Sequence, residues 1–85
     1  MRYNYRVVVS AFFTKVLHES VKRLAKIAPI KYRYDGDRVV IYADTRDRAE
    51  MLAKLVMQYF CVVLTYKYYV SHAFCEISVV IEENK

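Results

Sequence analysis

Few of the 85 residues have side chains suited to catalysis. There are two histidines, His18 and His72, and two cysteines, Cys61 and Cys75. His72 and Cys75 stand at a His-x-x-Cys spacing that could supply two metal ligands, with Cys61 as a third. If a hairpin turns at Ser71 to Ala73, Cys75 pairs opposite Tyr69, and Cys61 falls about 26 Å further along that strand. That distance excludes a shared metal or a disulfide, so both cysteines are expected as buried free thiols. A disulfide framework would also call for more cysteines and an oxidising compartment. His18, beside Glu19, reads as part of a solvated helix face. Asp35, Asp37, Asp44 and Asp47 lie close enough in sequence to suggest a general acid/base pair. Turns and helix caps use Asp at such places for simpler reasons. With one glycine in the chain, a Gly-rich phosphate loop is impossible. The expectation is a non-enzymatic protein with no catalytic residue, no metal, no cofactor and no small-molecule substrate.

Binding chemistry is better represented. Arg2, Arg6, Lys31, Arg33, Arg38 and Tyr42 fall on one face of the expected strands, with no acidic residue inferred among them on the first three. Guanidinium and ammonium groups hold phosphates, and a tyrosine ring stacks a base. Arg6, Lys31, Arg33, Arg38 and Tyr42 are therefore the candidate nucleic-acid contacts. The Gly-aromatic signature of RNA-recognition sheets is missing, since the third strand reads Arg38-Val39-Val40-Ile41-Tyr42. Val8, Val40, Tyr42, Leu64, Tyr66, Tyr68 and Val80 also fall opposite the expected core. So much apolar surface on a small domain points to oligomerisation or docking, with tyrosine suited to the role by its apolar body and polar tip. The candidate interface residues are Val40, Leu64, Tyr66, Tyr68 and Val80.

The elements that must position these residues follow from periodicity. Tyr3 to Val9 alternates as a half-buried strand. A helix capped by Ser10 or Thr14 then buries Phe13, Leu17, Val21, Leu24 and Ala28, and Pro29 forces Ala28 out of helical geometry. Asp35-Gly36 between two β-rich runs predicts a two-residue type I′ hairpin turn. That turn would place Tyr34 opposite Asp37, Tyr32 opposite Val39 and Ile30 opposite Ile41. Asp44 or Thr45 caps a second helix with Ala49, Leu52, Val56 and Tyr59 on its buried stripe. Glu50 and Lys54 form an i,i+4 pair on its outer side. From Cys61 the β-branched run Val62-Val63-Leu64-Thr65-Tyr66 reads as a strand continuing to Val70, although the helix could instead run on to Leu64. Phe74 to Glu82 alternates as a last strand, and one as apolar as Ile77 to Ile81 could pair with another chain.

The expected order is β-α-β-β-α-β-β. This is the ferredoxin-like βαββαβ arrangement with an extra C-terminal strand, an antiparallel sheet with two helices on one face. A chain this short makes one α+β domain over residues 1–85. Hydrophobic residues make up 56% of it, enough for a core without metal or disulfide staples. The longest apolar run, Phe60 to Leu64, is far short of a membrane span. No signal-peptide pattern opens the chain, so a cytoplasmic location is expected. A net charge of +5 favours anionic partners such as RNA, DNA or an acidic protein surface. Scarce Asn and Gln beside plentiful charged residues hint at a thermophilic source.

The stretch Val39-Val40-Ile41-Tyr42-Ala43-Asp44, followed by a helix with Leu52, Val56 and Tyr59-Phe60, resembles the small dimerising subunit of the KEOPS complex. That complex makes threonylcarbamoyl-adenosine in tRNA. Members of the family likewise end a β-hairpin at an acidic cap and then run a helix with an aromatic near its end. The resemblance covers roughly residues 3 to 64. The connection around Pro29 is shorter than usual, and the strands expected from Cys61 to Glu82 are largely extra. The resemblance implies a non-catalytic accessory subunit of an archaeal-type tRNA-modification complex. Such a subunit dimerises through its sheet and helices, holds the catalytic subunit, and helps position tRNA with its basic residues. Two other readings remain open. One is a small basic RNA-binding or ribosome-associated module, and the other is a structural or viral protein of the same fold.

Overall fold

The computed structural model describes residues 2–84. The elements are β1 (Tyr5–Ser10), α1 (Thr14–Ile27), β2 (Lys31–Asp35), β3 (Arg38–Ala43), α2 (Arg46–Tyr66), a short 3-10 turn (His72–Phe74) and β4 (Ser78–Glu83). The chain is α+β. Its strands lie in the order β2-β3-β1-β4, every neighbouring pair is antiparallel, and the two helices pack together over the sheet. This arrangement is compatible with the ferredoxin-like fold.

Period-2 alternation accounts for the sheet. Val7 and Val9 of β1 and Val39, Ile41 and Ala43 of β3 face the helices and are buried. Leu17, Val21 and Leu24 of α1 and Leu52, Val56 and Phe60 of α2 meet them. Pro29 works as expected: α1 ends at Ile27, and Ala28 is extended at φ −138°. Neither Ser10 nor Thr14 caps α1. Phe13 occupies the cap position without a side-chain bond, and the Thr14 N–H donates to the Phe12 carbonyl at 3.1 Å. Of the two candidates for α2, Thr45 is the cap, its hydroxyl accepting from the Arg48 N–H at 3.1 Å.

The hairpin turn sits one residue later than expected. Gly36 and Asp37 form the loop, with Gly36 at φ +66°, and Asp35 pairs with Arg38. Glycine at the first central position suits a type II′ turn, in which only that position needs a positive φ. The register becomes Tyr34 opposite Val39 and Tyr32 opposite Ile41. Each partner moves by two residues, so every side chain keeps its expected face. Asp35, expected in the turn, becomes a strand residue.

The largest departure lies after Phe60. Residues Cys61–Tyr66 continue α2, so β4 is the one strand that follows it. Val63 and Leu64 are buried against the sheet together with Phe60, which favours helix over the strand their β-branched composition suggested. Tyr69 then takes a left-handed conformation at φ 56°, and the Val70 N–H donates to the Leu64 carbonyl at 3.1 Å. The chain turns back here, bringing Cys75 beside Cys61 in a disulfide with a Cα–Cα distance of 5.4 Å. The expectation of free thiols about 26 Å apart rested on a strand that does not form. No group of three His, Cys, Asp or Glu residues arranged for a metal occurs among the described residues.

By length and composition alone, α2 could cross a membrane, since its most apolar window reaches a mean hydropathy of 1.2. In this fold it is the main helix of the core, and its buried stripe runs from Ala49 to Leu64.

Candidate nucleic-acid interface

The sheet face turned away from the helices carries three rows of side chains, set by the ladder. The first row is Lys31, Tyr42, Arg6 and Glu82, the second Arg33, Val40, Val8 and Val80, and the third Asp35, Arg38, Ser10 and Ser78. All five expected nucleic-acid residues, Arg6, Lys31, Arg33, Arg38 and Tyr42, therefore share this face.

Their partners change its electrostatics. Asp35 lies among them, accepting from Arg38 at 2.8 Å and standing 3.9 Å from Arg33. Glu82 of β4 accepts from Arg6 at 2.9 Å. The expectation of a face free of carboxylates on its first three strands fails at Asp35, because the later turn lengthens β2 by that residue. Four cations against two carboxylates leave the face at +2. These ion pairs are solvent-exposed and individually worth about 0–1 kcal/mol, so an arriving phosphate can compete for the guanidinium groups.

The most convergent chemistry is at the corner where β2 and β3 meet the N-terminal segment. The Tyr3 and Tyr42 ring centroids are 5.9 Å apart and the rings are tilted at 51°. The Lys31 ammonium lies 5.5 Å from the Tyr3 centroid and 6.0 Å from that of Tyr42. Arg33 Nε donates to the Tyr42 hydroxyl at 2.7 Å, which raises the Arg33 pKa further above its ordinary value and orients the ring. Beside the rings is a groove of about 520 Å³ that also borders Pro29, Asp44 and Arg48. Arg48 Nη2 donates to the Pro29 carbonyl at 3.2 Å, joining α2 to the segment that enters β2. Tyr3 and Arg48 are not among the candidates read from the sequence. Alternation from Tyr3 to Val9 puts Tyr3 on the buried face with Val7 and Val9, but β1 begins only at Tyr5, which frees Tyr3 from the strand to meet Tyr42; Arg48 lies in the first turn of α2, where no strand periodicity reaches.

The arrangement suits a nucleotide. An exposed cation–π contact is worth about 0.5–1 kcal/mol, whereas base–aromatic stacking is worth about 1–3 kcal/mol per base. A base can therefore displace Lys31 from the rings, leaving its flexible ammonium to meet the adjoining phosphate.

The expected interface residues separate into three groups. Leu64 is fully buried in the core, because α2 continues through it. Val40 is on the open face but only 2% exposed; Arg33 sits directly opposite and reaches past it to Tyr42. Neither can contact a partner in this conformation. Val80 is 51% exposed on β4, an edge strand. Tyr66 and Tyr68 are exposed but belong to the end of α2 and the loop after it, not to the sheet face. Tyr69 and Phe74 add exposed rings to that loop. His18 also differs from expectation. It is half-buried with its ring 4.3 Å from that of Tyr34, and its Nε2 is buried without a partner among the described residues. Partial burial, followed by the neighbouring Tyr32, raises the Tyr34 pKa above its ordinary value.

Compared with protein-family models, curated proteins and solved structures, the chain gives no match.

Proposed function

We propose that this protein is a non-catalytic RNA-binding module that takes a short single-stranded segment across the β2–β3 end of its open sheet face. The observation that carries the reading is the convergence of Tyr3, Tyr42 and Lys31 within 6.0 Å of one another's rings and charge. Tyr3 and Tyr42 would stack bases. Lys31 and Arg33 would hold phosphates, with Arg6 and Arg38 extending the track along β1 and β3. The test is fluorescence anisotropy with a labelled single-stranded RNA of about 10 nucleotides, for which Tyr3→Ala with Tyr42→Ala should weaken binding at least about tenfold. Unchanged affinity in that variant refutes the reading.

A second reading has its own observation. β4 is an edge strand with Val80 exposed, and Tyr66, Tyr69 and Phe74 project nearby in the chain from the end of α2 and its loop. These surfaces favour the accessory-subunit role that the KEOPS resemblance implies, as a homodimer or heterodimer that holds a catalytic subunit and positions tRNA. Light scattering showing a monomer at micromolar concentration counts against it. A cytoplasmic location remains part of both proposals. A disulfide in a cytoplasmic protein is characteristic of hyperthermophiles, which fits the scarcity of Asn and Gln.

A further inference from the structure

The greater part of the net charge is on the helix layer, on the side of the molecule opposite the open sheet face. Lys15, Lys22, Arg23 and Lys26 of α1 and Lys67 beyond α2 lie there around one carboxylate, Glu19, a set with a net charge of +4, whereas the charges on α2 itself, Arg46, Arg48 and Lys54 against Asp47 and Glu50, nearly balance. Residues 15, 19, 22 and 26 follow one another at i, i+4, i+7 and i+11, which puts them on one stripe of α1. The core-facing residues of that helix are Val16, Leu17, Ser20, Val21 and Leu24, and Lys15, Lys22, Arg23 and Lys26 are all exposed.

Glu19 is already occupied. Lys67 donates to it at 2.7 Å from beyond the end of α2, and Arg23 lies 3.2 Å away. Lys15, Lys22 and Lys26 have no ion pair among the described residues. At about 1.5 Å per residue they span about 16 Å of straight helix, enough to follow several successive phosphates of a duplex backbone. A groove of about 540 Å³ between α1 and α2 adjoins it, bordered by Lys22, Lys26, Tyr59 and Lys67.

We infer that α1 forms a second nucleic-acid surface that grips the phosphate backbone of a double-stranded segment, independently of the proposed single-strand site on the sheet. The two surfaces differ in chemistry. The sheet corner pairs cations with open aromatic rings, as unstacked bases require. Along the α1 stripe, Lys15, Lys22 and Lys26 make no cation–π contact among the described residues; the exposed rings of this surface are Phe12, before α1, and Tyr68, 6.0 Å from Lys67 beyond α2, so the stripe itself meets backbone charge. An RNA with a stem next to a single-stranded segment would engage both faces.

The test uses the full chain with two labelled probes, a blunt duplex RNA of about 12 base pairs and a single strand of about 10 nucleotides, titrated from about 50 to 200 mM salt. The variant is Lys15→Gln with Lys22→Gln and Lys26→Gln, since glutamine keeps helix propensity near that of lysine. Three phosphate contacts give a salt slope of about −2.7, which is about a 40-fold loss of affinity over a fourfold rise in salt. The wild type should show this loss on the duplex. The variant should bind the duplex more weakly with a slope smaller by about 2.7, and hold the single strand within about twofold. Conversely, Tyr3→Ala with Tyr42→Ala should lose the single strand and keep the duplex. Three results overturn the inference: a wild type that does not bind the duplex, a triple variant with an unchanged slope, or a triple variant that loses both probes together. Failure of the sheet site alone leaves the duplex result standing, so the two proposals are separable.

Discussion

Opening the Cys61–Cys75 disulfide should cost the fold about 3 kcal/mol. The two cysteines are separated by 14 positions, so the bond closes a loop of about 15 residues. Chain-entropy reasoning assigns such a closure about 10 cal/mol/K in the unfolded chain, or about 3 kcal/mol at 25 °C. For 85 residues the unfolding entropy near the midpoint is about 180 cal/mol/K, so the Tm should fall by about 17 °C. The loop also places Val70 against the core and delivers the chain to Ile77 and β4. Calorimetry with and without a phosphine reductant, repeated on Cys61→Ser with Cys75→Ser, measures the effect. Reduction leaves both sulfurs in place, so agreement between the two perturbations isolates the cross-link from the loss of packed atoms. A drop below about 6 °C in both, about 1 kcal/mol or less, would refute the view that this bond restrains the unfolded chain.

Three other perturbations probe the features that position the sites. Phe60→Ala should destabilise by about 3–5 kcal/mol in urea titration, since the ring is fully buried between α2 and the sheet. Thr45→Ala removes the acceptor for the Arg48 N–H at the start of α2 and should cost about 1 kcal/mol by the same measurement, with Thr45→Ser retaining it. The Lys67 hydrogen bond, followed by the charges of Lys67 and Arg23, holds the Glu19 pKa below its ordinary value of 4.5. Its contribution to stability is therefore complete above about pH 4.5 and disappears as pH falls through the lowered folded-state value. Carboxylate NMR should show that lower pKa in the wild type and its return toward 4.5 in Lys67→Gln.

Much of this fold is legible in local spacing. The alternation expected over Tyr3 to Val9, the Pro29 stop and the turn at Gly36 each depend on a few consecutive residues, and each element forms, the strand over Tyr5–Ser10 without Tyr3 and the turn one residue later than expected. The face assignment of Arg6, Lys31, Arg33, Arg38 and Tyr42 survives a turn shifted by one residue, because pairing then moves by two and two is the period of a strand. Local spacing is silent about what enters the site from elsewhere. Tyr3 and Arg48 come from outside the strands, and Glu82 reaches Arg6 from the far end of the chain.

The clearest division falls at Cys61. An apolar run such as Val62-Val63-Leu64 satisfies a buried helix and a buried strand equally well, so its own residues cannot choose between them. Packing of Phe60, Val63 and Leu64 beneath the sheet accompanies the helical choice. Two consequences follow that no local pattern contains: Leu64 enters the core, and Cys61 meets Cys75. By itself the sequence determined composition, charge, the periodic faces of β1, β3 and α1, and the poverty of catalytic groups. The tertiary structure decided which distant residues become neighbours, because contacts between residues far apart in the chain depend on how the elements pack and not on the spacing within any one of them.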